Sequence, residues 1–211
     1  MTVRVKICGI TTEAGMDAAV AAGAEWVGLN FFPASPRYVM PQRAAELAAR
    51  PGVPDVVGLF VKPADSEIAD VLAAVKLDVL QVYVDAARAA EIRARFGRPV
   101  WRAVGVATAA DLPRKAGGVD GFVIEAKAPP GATRPGGNAV TFDWSVLAGW
   151  RAPAPWLLAG GLGPDNVAEA IRATGATAVD VASGVEREKG VKDPALVAAF
   201  VRAARAAAIP A

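Results

Sequence analysis

The chain has 211 residues, 54% hydrophobic and 21% charged, and 23 basic against 21 acidic side chains give a formal charge of +2. That is enough for one substantial core, and the near-balance, without any block of like charge, excludes an electrostatic footprint for nucleic acid or a membrane surface. With no histidine and one cysteine, imidazole bases, histidine metal sites and an internal disulfide are also excluded, so acid–base work falls to carboxylates, the thiol, lysines or tyrosines.

The first residues lack the pattern of a signal peptide, and no apolar run reaches the ~20 residues of a membrane span. A cytoplasmic protein forming one domain over residues 1–211 is expected. Short β-branched runs alternate with alanine-rich segments of helical period, the pattern of βα units feeding a parallel sheet. Strands are expected over Val3–Cys8, Trp26–Phe31, Val56–Val61, Val79–Tyr83, Val100–Val104, Gly121–Glu125, Trp156–Ala159 and Ala178–Ala182, with helices after most of them. Thr12 is the expected cap of a helix over Glu13–Ala22, Asp65 or Ser66 of the helix after the third strand, and Asp193 of a last helix with Pro194 in its first turn. Eight units in so short a chain predict an α/β fold, a single-domain (β/α)8 TIM barrel, for which ~200 residues is near the lower limit. A doubly wound sheet is the rival, but no G-x-G-x-x-G opens the first helix. The Pro- and Gly-rich stretch 128–140 is an expected loop, of a length that often serves as a lid.

In such a barrel the chemistry belongs at the C-terminal ends of the strands. "KICG" ends the first strand with Lys6 and Cys8 two residues apart on one side, where an ammonium would favour the thiolate. The alternative is a small buried apolar residue. After the second strand, "FFPASPRY" holds Arg37 behind a Pro-Ala-Ser-Pro turn, positioned to grip a carboxylate or simply solvated. "VIEAK" ends the sixth strand in Glu125, a candidate general acid, or else a rim ion-pair partner for a lysine. Gly160 and Gly161 follow the seventh strand, with Asn166 beginning a helix, and Ser183 and Gly184 follow the eighth. Paired glycines there leave backbone N–H groups for a phosphate; tight turns are the alternative.

Taken together, "KICGIT", "FFPASPRYV", "GLFV", "FDW", "LAGGLGPDNVAEAI" and "VDVASGVEREKGVKD" closely resemble the phosphoribosylanthranilate isomerase family over nearly the whole chain, in order. The resemblance implies an Amadori rearrangement of N-(5-phosphoribosyl)anthranilate, the third step of the tryptophan branch, without metal or organic cofactor. It implies Cys8 as base, the strand-six carboxylate Glu125 as acid, Arg37 near the anthranilate carboxylate, and phosphate at Gly161, Ser183 and Gly184, to which the pairing of glycines adds Gly160. Lys6, Gln81 and Asp180 complete the expected substrate-binding set. The expected partner is this phosphosugar alone, bound by a monomer or weak homodimer. Two departures stand out: glutamate replaces the family's aspartate at 125, and "LQVYV" puts Tyr83 and Val84 where the family has histidine and glycine. If that glycine served a positive φ, a β-branched residue would be strained there. The alternatives are a barrel acting on another phosphorylated aminosugar, as the related histidine-pathway enzyme does, and a non-catalytic or altered-specificity phosphosugar-binding barrel.

Overall fold

A computed structural model describes residues 2–129, 131 and 141–207. Eight parallel strands close into a barrel in sequence order: β1 (Arg4–Cys8), β2 (Trp26–Asn30), β3 (Asp55–Val61), β4 (Val79–Tyr83), β5 (Val100–Val106), β6 (Gly121–Ala126), β7 (Trp156–Leu158) and β8 (Ala178–Val181). β8 pairs with β1 through Lys6 beside Asp180, which closes the ring. All eight expected strands are present, with ends moved by one or two residues.

The helices are α1 (Glu13–Ala22), α2 (Pro41–Ala48), α3 (Asp65–Ala74), α4 (Ala86–Phe96), α5 (Val167–Thr174) and α6 (Pro194–Ala206). Thr12 caps α1 by accepting from Gly15 N–H at 3.2 Å, and Asp193 caps α6 through Ala195 and Leu196 N–H. The expected cap at Asp65 or Ser66 is corrected to Ala64, which is extended and whose N–H donates to Glu67 at 2.7 Å. Asp65 is already in the first turn, where its charge suits the positive helix end, and it pairs with Arg88 and Arg95. Only 3-10 turns, Ala109–Asp111 and Trp144–Leu147, occupy the described connections after β5 and β6. In the first of these, Pro113, Gly117 and Gly118 interrupt any helical run. Most of the 128–140 loop lies outside the described residues. Among those described, no helix is long and apolar enough to cross a membrane.

Strand alternation divides the core into two layers. One face of each strand packs beneath the helices with residues such as Ile7, Leu29, Phe60, Leu80, Val104, Phe122 and Val179. The other face fills the barrel, where Trp26 and Trp101 meet edge to face at 5.2 Å with Val57, Val79, Val123 and Leu157 around them. Further along the same inward rows, toward the C-terminal ends, polar residues take over.

Candidate functional site

Cys8 ends β1 on an inward position, 5% exposed, on the wall of a cavity at the C-terminal mouth of the barrel. Its register partner is Gly28 on β2, and a Cβ there would lie 2.7 Å from the sulfur. The glycine makes room for the thiol. One pleat below, Lys6 is fully buried, donates to Asp180 Oδ1 at 3.0 Å and lies close enough to Cys8 for their charges to interact. Burial works against the Lys6 ammonium, but Asp180 and Cys8 outweigh it and raise its pKa. For Cys8, burial pushes the thiol up and Lys6 opposes without prevailing. The neighbouring ammonium therefore moderates the thiol's pKa and does not depress it below the ordinary value, because the same enclosure that brings them together removes water from the thiolate.

Glu125 lies on β6, three strands from β1 by the shorter way around the ring, so it faces Cys8 across the mouth. It is 4% exposed and lines the same cavity. Tyr83, from β4, lines the cavity beside Glu125; burial, then the charge of Glu125, pushes its phenol well above the usual range, so the phenol keeps its proton. Val84 has no positive φ: among the described non-glycine residues only Lys62 does, so a glycine is not needed at 84. Lys127 pairs with Asp111 on the rim at 3.2 Å. The rim lysine thus has its own carboxylate, and Glu125 belongs to the cavity. Gln81, 1% exposed, also faces the cavity, and no described residue bonds its Oε1.

Arg37 is aimed by its loop. Asn30 Nδ2 donates to Ser35 Oγ, Asn30 Oδ1 accepts Phe32 N–H, and Ser35 Oγ accepts Arg37 N–H. The arginine stem crosses Gly9, which has φ +75° and where a Cβ would collide with Arg37 Cδ. This explains the glycine in "KICG": neither the backbone angle nor the crossing tolerates a side chain. The guanidinium is not solvated. It is 6% exposed and forks onto Glu186, Nε to Oε1 at 2.7 Å and Nη2 to Oε2 at 2.8 Å. Lys192 Nζ shares that Oε1 at 2.8 Å and donates to Ala182 O at 2.9 Å. Burial raises the Glu186 carboxyl, but the two cations more than reverse this and hold it below its usual pKa.

At the far end, Gly160 and Gly161 both have positive φ, 88° and 64°. Asn166 fastens this loop by accepting Gly163 N–H at 2.8 Å and donating to Gly161 O at 3.0 Å. Gly160, Gly161 and Ser183 line the cavity. Gly184 does not; a Cβ there would collide with the Leu162 carbonyl, so this glycine lets the two loops pack together.

Cys8, Arg37, Gln81, Glu125, Asp180, Gly160, Gly161 and Ser183 thus bound one cavity, enclosing about 700 Å³ of space partly open to solvent. Two of the expected residues are not on its lining: Lys6 lies beneath the wall, fully enclosed beside Cys8 and Asp180, and Gly184 packs against the Leu162 carbonyl behind it. Sequence reasoning missed Asn30, Ser35, Tyr83 as the neighbour of Glu125, and the Glu186–Lys192 pair. The motif "GVEREKGVKD" held the last two, but nothing local shows that a short hairpin of Glu186–Glu188 and Val191–Lys192 folds them under Arg37.

A family model described as N-(5'phosphoribosyl)anthranilate (PRA) isomerase matches residues 5–203. An N-(5'-phosphoribosyl)anthranilate isomerase from Acidiphilium cryptum is 57% identical over 204 residues, covering 97% of this chain and 99% of its own. Monomers generated from the dimeric phosphoribosylanthranilate isomerase of Thermotoga maritima have a TM-score of 0.81 at 34% identity, covering 96% of this chain and 98% of theirs. A phosphoribosyl anthranilate isomerase in complex with reduced 1-(o-carboxyphenylamino)-1-deoxyribulose 5-phosphate has a TM-score of 0.80 at 34% identity, with the same coverage.

Proposed function

The chain belongs to the N-(5'-phosphoribosyl)anthranilate isomerase family and is an isomerase of tryptophan biosynthesis; from that premise we propose that Cys8 and Glu125 carry its proton transfers. Glu125 protonates the furanose ring oxygen as the C1′–O bond breaks, and the anthranilate nitrogen lone pair forms the C1′=N bond of a Schiff base. The Cys8 thiolate then takes the C2′ proton. The released electron pair forms C1′=C2′ while the C=N pair returns to nitrogen, and the enolamine tautomerises to the 2′-ketone, 1-(2-carboxyphenylamino)-1-deoxyribulose 5-phosphate. Proton transfers alone complete the rearrangement, so no metal or organic cofactor is required.

The observation that carries this reading is the single cavity in which a thiol and a carboxyl group face each other between an arginine at one end and paired glycines at the other. Arg37 takes the ring carboxylate, with Phe32, Leu59 and Val61 as an apolar slot for the ring. Asp180 and Gln81 orient the sugar, Gln81 Oε1 accepting a ligand N–H or O–H. The phosphate rests on the amides at Gly160 and Gly161 and on Ser183. Tyr83, protonated, holds Glu125 where the family's aspartate would be shorter by one methylene. The ligand is this phosphosugar, and the chain works in the cytoplasm as a monomer or weak homodimer; its balanced charge supports a partner other than nucleic acid or a membrane surface.

Freshly made phosphoribosylanthranilate tests the reading, since anthranilate fluorescence falls on conversion. Cys8→Ser is expected to bind the reduced product analogue as the parent does and to lose turnover by at least about 10²-fold. Turnover at the parental rate would remove the thiol from the mechanism.

A further inference from the structure

The cluster behind Arg37 holds two cations and one anion. Glu186 and Lys192 side chains are 5% and 0% exposed, and Arg37 is as enclosed, so the trio is a buried group of net charge +1. Such an excess is unfavourable unless a counter-charge arrives. Arg37 and Glu186 alone would form a neutral fork whose carboxylate repels an incoming one; the second cation changes that sign. Lys192 is not on the cavity wall, and its ammonium is taken by Glu186 and the Ala182 carbonyl, so it acts on a ligand only through the charge it supplies.

We propose that Lys192 is a positioning residue for carboxylate recognition: by sharing Glu186 with Arg37, it leaves the cluster one positive charge for the ring carboxylate of the substrate to neutralise. This rests on the assignment of that carboxylate to Arg37. Gly15 on α1 admits the lysine, since a Cβ there would lie 3.3 Å from its Cβ and Cγ. Burial pulls the ammonium's pKa below the ordinary lysine value; Glu186 and, more weakly, Cys8 oppose, while Arg37 adds to the depression. Of these groups, Glu186 is the one it touches.

The test compares the affinity of reduced 1-(o-carboxyphenylamino)-1-deoxyribulose 5-phosphate with that of the same molecule lacking the ring carboxyl, measured by calorimetry on the whole chain. The ratio of the two affinities reads carboxylate recognition and cancels general damage to the pocket. Lys192→Met makes the cluster neutral, and the ratio is expected to fall on the order of 10-fold. Adding Glu186→Gln to it restores the net charge of +1, and the ratio is expected to recover. A ratio unchanged in Lys192→Met, or not restored in the double variant, overturns the proposal. Should Lys192→Met not fold, the double variant carries the test alone: a ratio near the parent's supports the proposal and a lost one overturns it. Arg37→Met separates the underlying reading. If it keeps the ratio, the carboxylate assignment itself fails; if it loses the ratio while Lys192→Met keeps it, only the role of Lys192 fails.

Discussion

On β6, Val123 and Glu125 both point into the barrel, two residues apart; on β4, Val79 and Gln81 do the same. The first of each pair belongs to a sealed lower interior plugged by Trp26 and Trp101, with the Arg4 guanidinium 4.8 Å from the Trp26 ring centre. The second belongs to a mouth where Cys8, Asp180 and Glu125 are drawn out of water yet still meet a cavity. One pleat period therefore separates packing from chemistry on the same strand. The lower layer fixes the register, and the register aims the upper one, because a slip of one residue would turn every reactive side chain toward the helices.

Substitutions in the two layers should fail in opposite ways. In the mouth, Glu125→Gln keeps size and loses the proton donor, so turnover should fall about 10²- to 10⁴-fold while the urea midpoint stays near the parent's. Turnover within a few-fold would assign the acid elsewhere. In the plug, Trp101→Ala should cost about 3–5 kcal/mol of unfolding free energy, read by urea titration, with catalysis by the folded fraction much less affected. A variant as stable as the parent would show that the lower interior does not hold the frame. The smallest change is Tyr83→Phe, which removes the protonated phenol beside Glu125 and should slow turnover about 10-fold. An unaltered rate would mean that Glu125 is held by something else.

The barrel was legible because β-branched runs at regular spacing need only local chemistry to declare themselves, and Thr12, Asp193 and Asn166 marked helix starts in the same way. The site was legible wherever a reactive residue ends a strand, as Cys8 and Glu125 do. It was not legible where function depends on what crosses what. Lys6 stands in the expected substrate-binding set, but closure of the ring by β8 puts Asp180 beside it and buries both. Ala64 carries no capping side chain, and only the returning Glu67 reveals it as the cap. Glu186 and Lys192 sit in a quoted motif with no role legible in the sequence, and only the hairpin folds them under Arg37.

The central claim is that the Cys8 thiolate, reached through the cavity, is the base, and the chain's one cysteine makes this directly measurable. Iodoacetamide alkylation should incorporate one label, abolish turnover in proportion, and be slowed by the reduced product analogue. Its rate should rise with pH through a value above that of an ordinary exposed thiol, because burial holds the folded-state thiol protonated longer than Lys6 can offset. Completely alkylated protein that still turns over its substrate would contradict the account.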